Sequence, residues 1–171
     1  MPIIYLPYTA SSPLLSDALA VYGRVWPERN PDEARENFSR YAGYEDFRGL
    51  VACVDGVPAA VAYGATSQPG VWWHDRAAEG LGADHPALQD AWRLVELAVV
   101  AEYRGLGIGS ELHDRLLAGL PNARALICTA VHNTHARGIY ERRGWHYVAE
   151  SFDFPGEPHP YVIMERVMTR S

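Results

Sequence analysis

Six residues near the middle of this 171-residue chain, Arg104-Gly105-Leu106-Gly107-Ile108-Gly109, constrain its fold more than any others. They separate an apolar run over residues 92–100 from residues 108–119, where Leu112, Leu116 and Leu117 recur at helical spacing. A buried strand entering a helix through a glycine turn is the expected result, and the apolar residues 125–131 supply the next strand. Such a strand–helix–strand crossover is right-handed and parallel, and ligands bind at the carboxyl ends of its strands. Glycines in the turn let backbone approach a ligand, and the helix start adds unpaired N–H donors and the positive end of its dipole. The turn therefore suits a phosphate, although a plain tight connection uses the same residues.

Composition removes the competing phosphate motifs. All 15 basic residues are arginine, so a Walker loop, a Schiff-base enzyme and a kinase-type phosphate lysine are excluded. A dinucleotide fingerprint needs a third glycine where Ser110 stands. The formal charge of −6 argues against nucleic acid and against anionic membrane as partners. No signal-like start is present, and the longest apolar run is interrupted by Glu96, so a cytoplasmic protein is expected. Cys53 and Cys128 lie in apolar runs and read as core thiols. His132 and His135 lack a third ligand at matching spacing, so no metal is expected. No repeat, low-complexity tract or linker divides the chain, which reads as a single domain over residues 1–171.

The remaining elements follow from local signals. Residues 3–8 read as an opening strand, Ser12-Pro13 opens a helix, and Asn30-Pro31-Asp32-Glu33 opens a second one. Asp55-Gly56 has the composition of a tight hairpin turn between strands over 47–54 and 57–66. Residues 67–90 form an excursion in which glycine and proline break periodicity, so no element is assigned there. A helix over 133–143 and strands over 145–154 and 161–167 complete the order βααβββαβαββ, an α/β class with a mixed α+β sheet.

A second constellation lies downstream, at Asn133, Ala136, Tyr140, Gly144 and Trp145. Asn133 can cap a helix on which Ala136, Ile139 and Tyr140 share one face. A helical tyrosine is also an ordinary core residue. The two segments together resemble the GNAT superfamily of acyl-CoA-dependent N-acetyltransferases. Leu97-Ala98-Val99 followed by Arg104-x-x-Gly107-x-Gly109 matches its first signature, with Ala101 where proline is frequent. Asn133-x-x-Ala136-x-x-x-Tyr140-x-x-x-Gly144-Trp145 matches its second.

The resemblance implies a GNAT-like fold whose central parallel strands splay around acyl-CoA, with acetyl-CoA as cosubstrate. It places pyrophosphate on the amides of Arg104, Gly105, Leu106, Gly107, Ile108, Gly109 and Ser110. The pantetheine arm would run along Leu97, Ala98 and Val99 and meet Asn133, with the Val99 amide facing the oxyanion and an arginine at 142 or 143 near phosphate. Tyr140 is the implied proton donor to the departing thiolate, a mildly uphill step, since an ordinary phenol (about 10) lies above a thiol (roughly 8.5). Glu96, a carboxylate inside an apolar strand, is the first candidate base, and a structural ion pair is the alternative. His132 is the second candidate.

The acceptor pocket draws on aromatic segments (Tyr22, Trp26, Tyr41, Tyr44, Trp72, Trp73) with Glu28, Glu45, Asp46 and Asp75 available to a cation. A small-molecule amine is the expected acceptor. A protein N-terminus or lysine, and a CoA-binding sensor without turnover, stand as alternatives, and the chain is a candidate homodimer.

Overall fold

Backbone chemistry sets most element boundaries in the computed structural model, which describes residues 1–169. The strands are β1 (Ile3–Pro7), β2 (Arg48–Val54), β3 (Val57–Ser67), β4 (Ala91–Val99), β5 (Arg124–Ala130), β6 (His146–Phe152) and β7 (Tyr161–Val167). The helices are α1 (Leu14–Val25), α2 (Pro31–Ala42), α3 (Trp72–Leu81), α4 (Ile108–Leu117) and α5 (Thr134–Arg142). Asn30 caps α2 by accepting from the Asp32 and Glu33 amides, with Pro31 at the first helical position. Ser12 accepts from the Leu14 amide at the start of α1. The β2–β3 hairpin turns at Asp55 and Gly56 with φ of 48° and 80°, the paired left-handed conformation of a two-residue hairpin turn.

The strands form one mixed sheet in the order β1-β2-β3-β4-β5-β7-β6. β1, β2 and β3 pair antiparallel, as do β5, β7 and β6. β4 and β5 are parallel and pair through Ala91–Arg124, Trp92–Ala125 and Arg93–Leu126. The expected element order holds, with α3 added between β3 and β4.

The chain divides into two compact units: Met1–Ala65 with Leu94–Gly119, and Thr66–Arg93 with Leu120 onward. In the first, α1 buries Leu15, Ala18 and Val21 at i, i+3 and i+6 against Phe38, Val51 and Val61. Each fully buried aliphatic of this kind contributes about 1.5–3 kcal/mol. Arg48 of β2 ties down the end of α4, donating to the carbonyls of Leu116, Ala118 and Gly119 at 3.0, 2.6 and 3.2 Å. The Leu116 and Ala118 carbonyls belong to the helix end, which lacks internal partners, and that of Gly119 follows just beyond the cap.

The second unit packs Trp73 and Ala77 of α3 against Leu126, Phe154 and Ile163. α3 forms in the stretch where glycines break the sequence pattern. Gly80 lies inside it because a Cβ there would stand 2.4 Å from the Phe152 ring, so only glycine admits the close packing. The Asp75 carboxylate accepts from the Gly70 amide and closes the entering turn. Cys53 is buried in the first unit, and Cys128 is partly buried in the second.

Candidate active site

In the first unit, β4 ends at Val99, a single turn of 3-10 helix spans Ala101–Tyr103, and the chain enters α4 through the glycine turn. Gly105 and Gly107 have φ of 81° and 80°, a region costly to residues with a Cβ, and open space surrounds both Cβ positions. Gly107 is the N-cap of α4, and no side chain caps that end. The first-turn amides of a 10-residue helix are therefore left to an external acceptor. Gly109 is placed differently. Its Cβ position lies 3.4 Å from Leu97 and 3.7 Å from Val99, ordinary contact distances that mark where α4 rests on the outer part of β4. Arg104 turns back along the loop, and its Nε donates to the Val99 carbonyl at 3.1 Å, bracing the turn against the strand end. This arrangement has the donors, open space and polarity that a pyrophosphate requires.

Leu97 and Val99 face α4, whereas Ala98 and Val100 join the core beneath α1 and α2, so alternation holds along this end of β4. Glu96 falls on the Ala98 side, partly buried, and its carboxylate acts on two tyrosines. Burial pushes the Tyr8 phenol far up, and Glu96 pushes it further. Tyr8 is 3% exposed, and its hydroxyl is buried without a hydrogen-bond partner among the described residues. Tyr22 is raised by burial and then by Glu96, with Arg29 opposing. Glu96 thus acts on two phenols, the buried Tyr8 and the half-buried Tyr22. The sequence singled out Glu96 and Tyr22 but missed Tyr8, because a tyrosine in a short opening strand carries no distinguishing signal.

In the second unit, the downstream signature is a set of helix-end devices. Asn133 caps α5 by accepting from the Ala136 amide at 3.2 Å. At the other end Trp145 N–H donates to the Tyr140 carbonyl at 3.1 Å, and Gly144 N–H donates to that of Glu141 at 3.2 Å. Gly144 has φ of 85°, and the Trp145 ring meets the Tyr140 ring at 5.6 Å. These two bonds, the left-handed glycine and the ring contact make a Schellman stop. Trp145 is 2% exposed, so the stop is anchored in the core of this unit. Four signature residues, Asn133, Tyr140, Gly144 and Trp145, therefore fix where α5 begins and ends, and Tyr140 sits in the last turn.

Arg137 was not singled out by sequence. Its guanidinium donates to the Val131 carbonyl at 2.6 Å and to the Tyr147 hydroxyl at 3.0 Å, and Tyr147 in turn donates to Glu141. Arg142 folds back over Gly138. His132 is exposed, with its ring edge-on to His159 at 4.8 Å.

The expected acceptor aromatics fall into separate groups. Tyr22, Tyr41 and Tyr44 belong to a cluster with Phe38 and Tyr63 in the first unit. Trp72 and Trp73 pack on Phe154 in the second. Arg93 stacks over Trp73 at 4.5 Å. Among the described residues no group of three or more His, Cys, Asp or Glu could hold a metal ion, and no helix is long and apolar enough to cross a membrane.

The chain is similar to known acetyltransferases. A relative from Mycobacterium tuberculosis, described as GCN5-like protein acetyltransferase Rv2170, is 31% identical over 118 residues. That match covers 63% of this chain and 57% of the relative, so the chain spans little more than half the relative's length. An aminoglycoside 6'-acetyltransferase type Ii superposes with a TM-score of 0.71 over 98% of this chain and 99% of its own, at 16% identity. A structure described as histone acetyltransferase HPA2 and related acetyltransferase from Corynebacterium glutamicum gives 0.70 over 100% and 99%, at 19% identity. At these identities the superpositions bear on the fold alone. The family model described as acetyltransferase (GNAT) family matches residues 14–145, well over half of the chain, and with both signatures in place the chain belongs to that family.

Proposed function

We propose that this GNAT acetyltransferase moves an acetyl group from acetyl-CoA to a primary amine on a small molecule. The observation that carries the reading is the turn at Gly107, where left-handed glycines and an uncapped helix start present amide donors into open space. In a chain without lysine, recognition of CoA phosphates falls to those amides and to arginine.

The acceptor nitrogen attacks the thioester carbonyl, the C–N bond forms and the C–S bond breaks. An alkyl ammonium has a pKa of about 10.4, so one proton must leave before attack. Glu96 takes that proton, directly or through water, from its partly buried position on β4. The departing thiolate takes a proton from the Tyr140 hydroxyl, and the proton that the attacking nitrogen sheds on becoming an amide returns through solvent to restore the phenol. The Val99 amide supplies a donor to the oxygen that becomes negative during attack. Asn133 keeps its oxygen on the helix cap and offers its amide nitrogen to the pantetheine arm.

The test is release of CoA thiol across a panel of primary amines, with Tyr140→Phe in parallel. The variant is expected to lose about 10²- to 10⁴-fold in kcat, the usual contribution of a general acid. Unchanged kcat would remove Tyr140 from that role. CoA binding with no thiol release for any amine would leave a CoA-binding module and overturn transfer.

A further inference from the structure

A cavity of about 290 Å³ opens where α1 runs into α2, wholly within the first unit. Tyr22 and Trp26 line it from the end of α1, and Arg29, Asp32 and Arg35 line it from the connecting turn and α2. Its size is at the lower limit of ligand pockets, roughly 300–1,000 Å³, which suits a molecule about as large as an amino acid. Two guanidiniums and one carboxylate give its wall a net positive charge within a chain of charge −6. Arg29 and Arg35 are both exposed, and among the described residues neither guanidinium makes a hydrogen bond or an ion pair. A guanidinium in that state is ready to take a planar anion through two parallel hydrogen bonds.

One residue of its wall feels the charge of the candidate base. Tyr22 lines the cavity, and its phenol is raised by burial, Glu96 and Glu28 and lowered by Arg29. Tyr22, Trp26 and the two arginines thus line one cavity, and Tyr22 is the wall residue on which Glu96 acts.

We propose that this cavity is the acceptor subsite and that it selects primary amines carrying a carboxylate. Arg29 and Arg35 hold the carboxylate, Trp26 and Tyr22 flank an apolar or aromatic side chain, and the amine is directed toward Glu96. The inference rests on the transfer reading above and adds the substrate class.

Two matched pairs test it: L-phenylalanine with phenethylamine, and L-tryptophan with tryptamine. Each pair shares an amine and a ring and differs in the carboxylate. The acid member is expected to have a kcat/KM at least about tenfold higher, what a charge-assisted hydrogen bond contributes, and the difference is expected in KM. Arg29→Gln and Arg35→Gln should each bring the ratio toward one. A second readout needs no turnover. 3-Phenylpropanoate has the ring and carboxylate but no amine, and it should change the fluorescence of Trp26, read as wild type minus Trp26→Phe. That change should weaken in both arginine variants.

Thiol release from amines with no preference for the acids overturns the subsite while transfer stands. No Trp26 response to 3-phenylpropanoate overturns it as well. An arginine-dependent Trp26 response without turnover of any amine supports the carboxylate site and removes the transfer reading instead.

Discussion

Gly107 and Gly109 stand two residues apart in one turn, yet alanine at these positions should have opposite effects on stability. At Gly107 nothing lies within 4 Å of an added Cβ, so the entire cost is conformational. With φ of 80°, an L-residue there costs about 1–2 kcal/mol. For a chain of this size each kcal/mol moves Tm by about 2–4 °C, so Gly107→Ala should lower Tm by about 2–8 °C. Gly109 lies in the first turn of α4, and its added methyl meets Leu97 and Val99 at 3.4 and 3.7 Å, ordinary contact distances. Alanine is a better helix former than glycine by up to about 1 kcal/mol. Gly109→Ala should therefore leave Tm unchanged or raise it. The assay is thermal and urea unfolding without CoA, because a ligand that binds only the folded state would mask the difference. A larger loss at 109 than at 107 would refute the reasoning, since packing and not backbone conformation would then set the requirement for glycine.

Further outcomes follow from other parts of the molecule. Glu96→Gln should cost about 10²- to 10⁴-fold in kcat/KM and abolish the acidic limb of the pH–rate profile; a retained limb would move the base elsewhere, with His132 the next candidate. Arg48→Ala leaves the last carbonyls of α4 without their side-chain donor and should destabilise the chain by about 1–3 kcal/mol in urea unfolding, an unchanged midpoint being the contrary result. His74 is buried beside Ser67 in the second unit, and burial holds its imidazole below the ordinary 6.5, with Asp75 opposing. The unfolded chain therefore binds this proton more readily than the folded one. The stability this group provides is full above pH 6.5 and erodes as pH falls toward the folded value. His74→Gln should flatten that part of the stability profile, and a profile of unchanged slope would place its origin elsewhere.

The features that were legible in sequence are those decided within a few residues. Asn30-Pro31 sets the start of α2, Asp55-Gly56 sets the hairpin, and the glycine turn sets the entry to α4. The signature around Asn133 and Tyr140 was readable for the same reason: it encodes the two ends of one helix. What stayed hidden depends on partners distant in the chain. Gly80 reads as a helix breaker until Phe152, 72 residues later, is seen to lie against it. Arg48 reads as a surface arginine until α4 ends beside it. The grouping of Glu96 with Tyr8 and Tyr22 joins β4, α1 and the residue that follows β1, and no local pattern announces it. The bond from the Gly70 amide to the Asp75 carboxylate, which closes the turn into α3, is likewise not visible in the sequence.

The Schellman stop of α5 has a consequence for motion. None of the nine residues in α5 is fully buried, and residues 136–140 are only partly so. Its order rests on the Asn133 cap at one end, on the Gly144–Trp145 anchor at the other, and between them on the Arg137 bonds to the Val131 carbonyl and the Tyr147 hydroxyl. Segments with few buried contacts open locally at free energies well below that of global unfolding. The proposed proton donor therefore rides on an element that can fray while both cores stay intact. Amide exchange along α5, measured beside that of α4 with its five buried residues, reports how often Tyr140 is out of register in a chain that is otherwise folded.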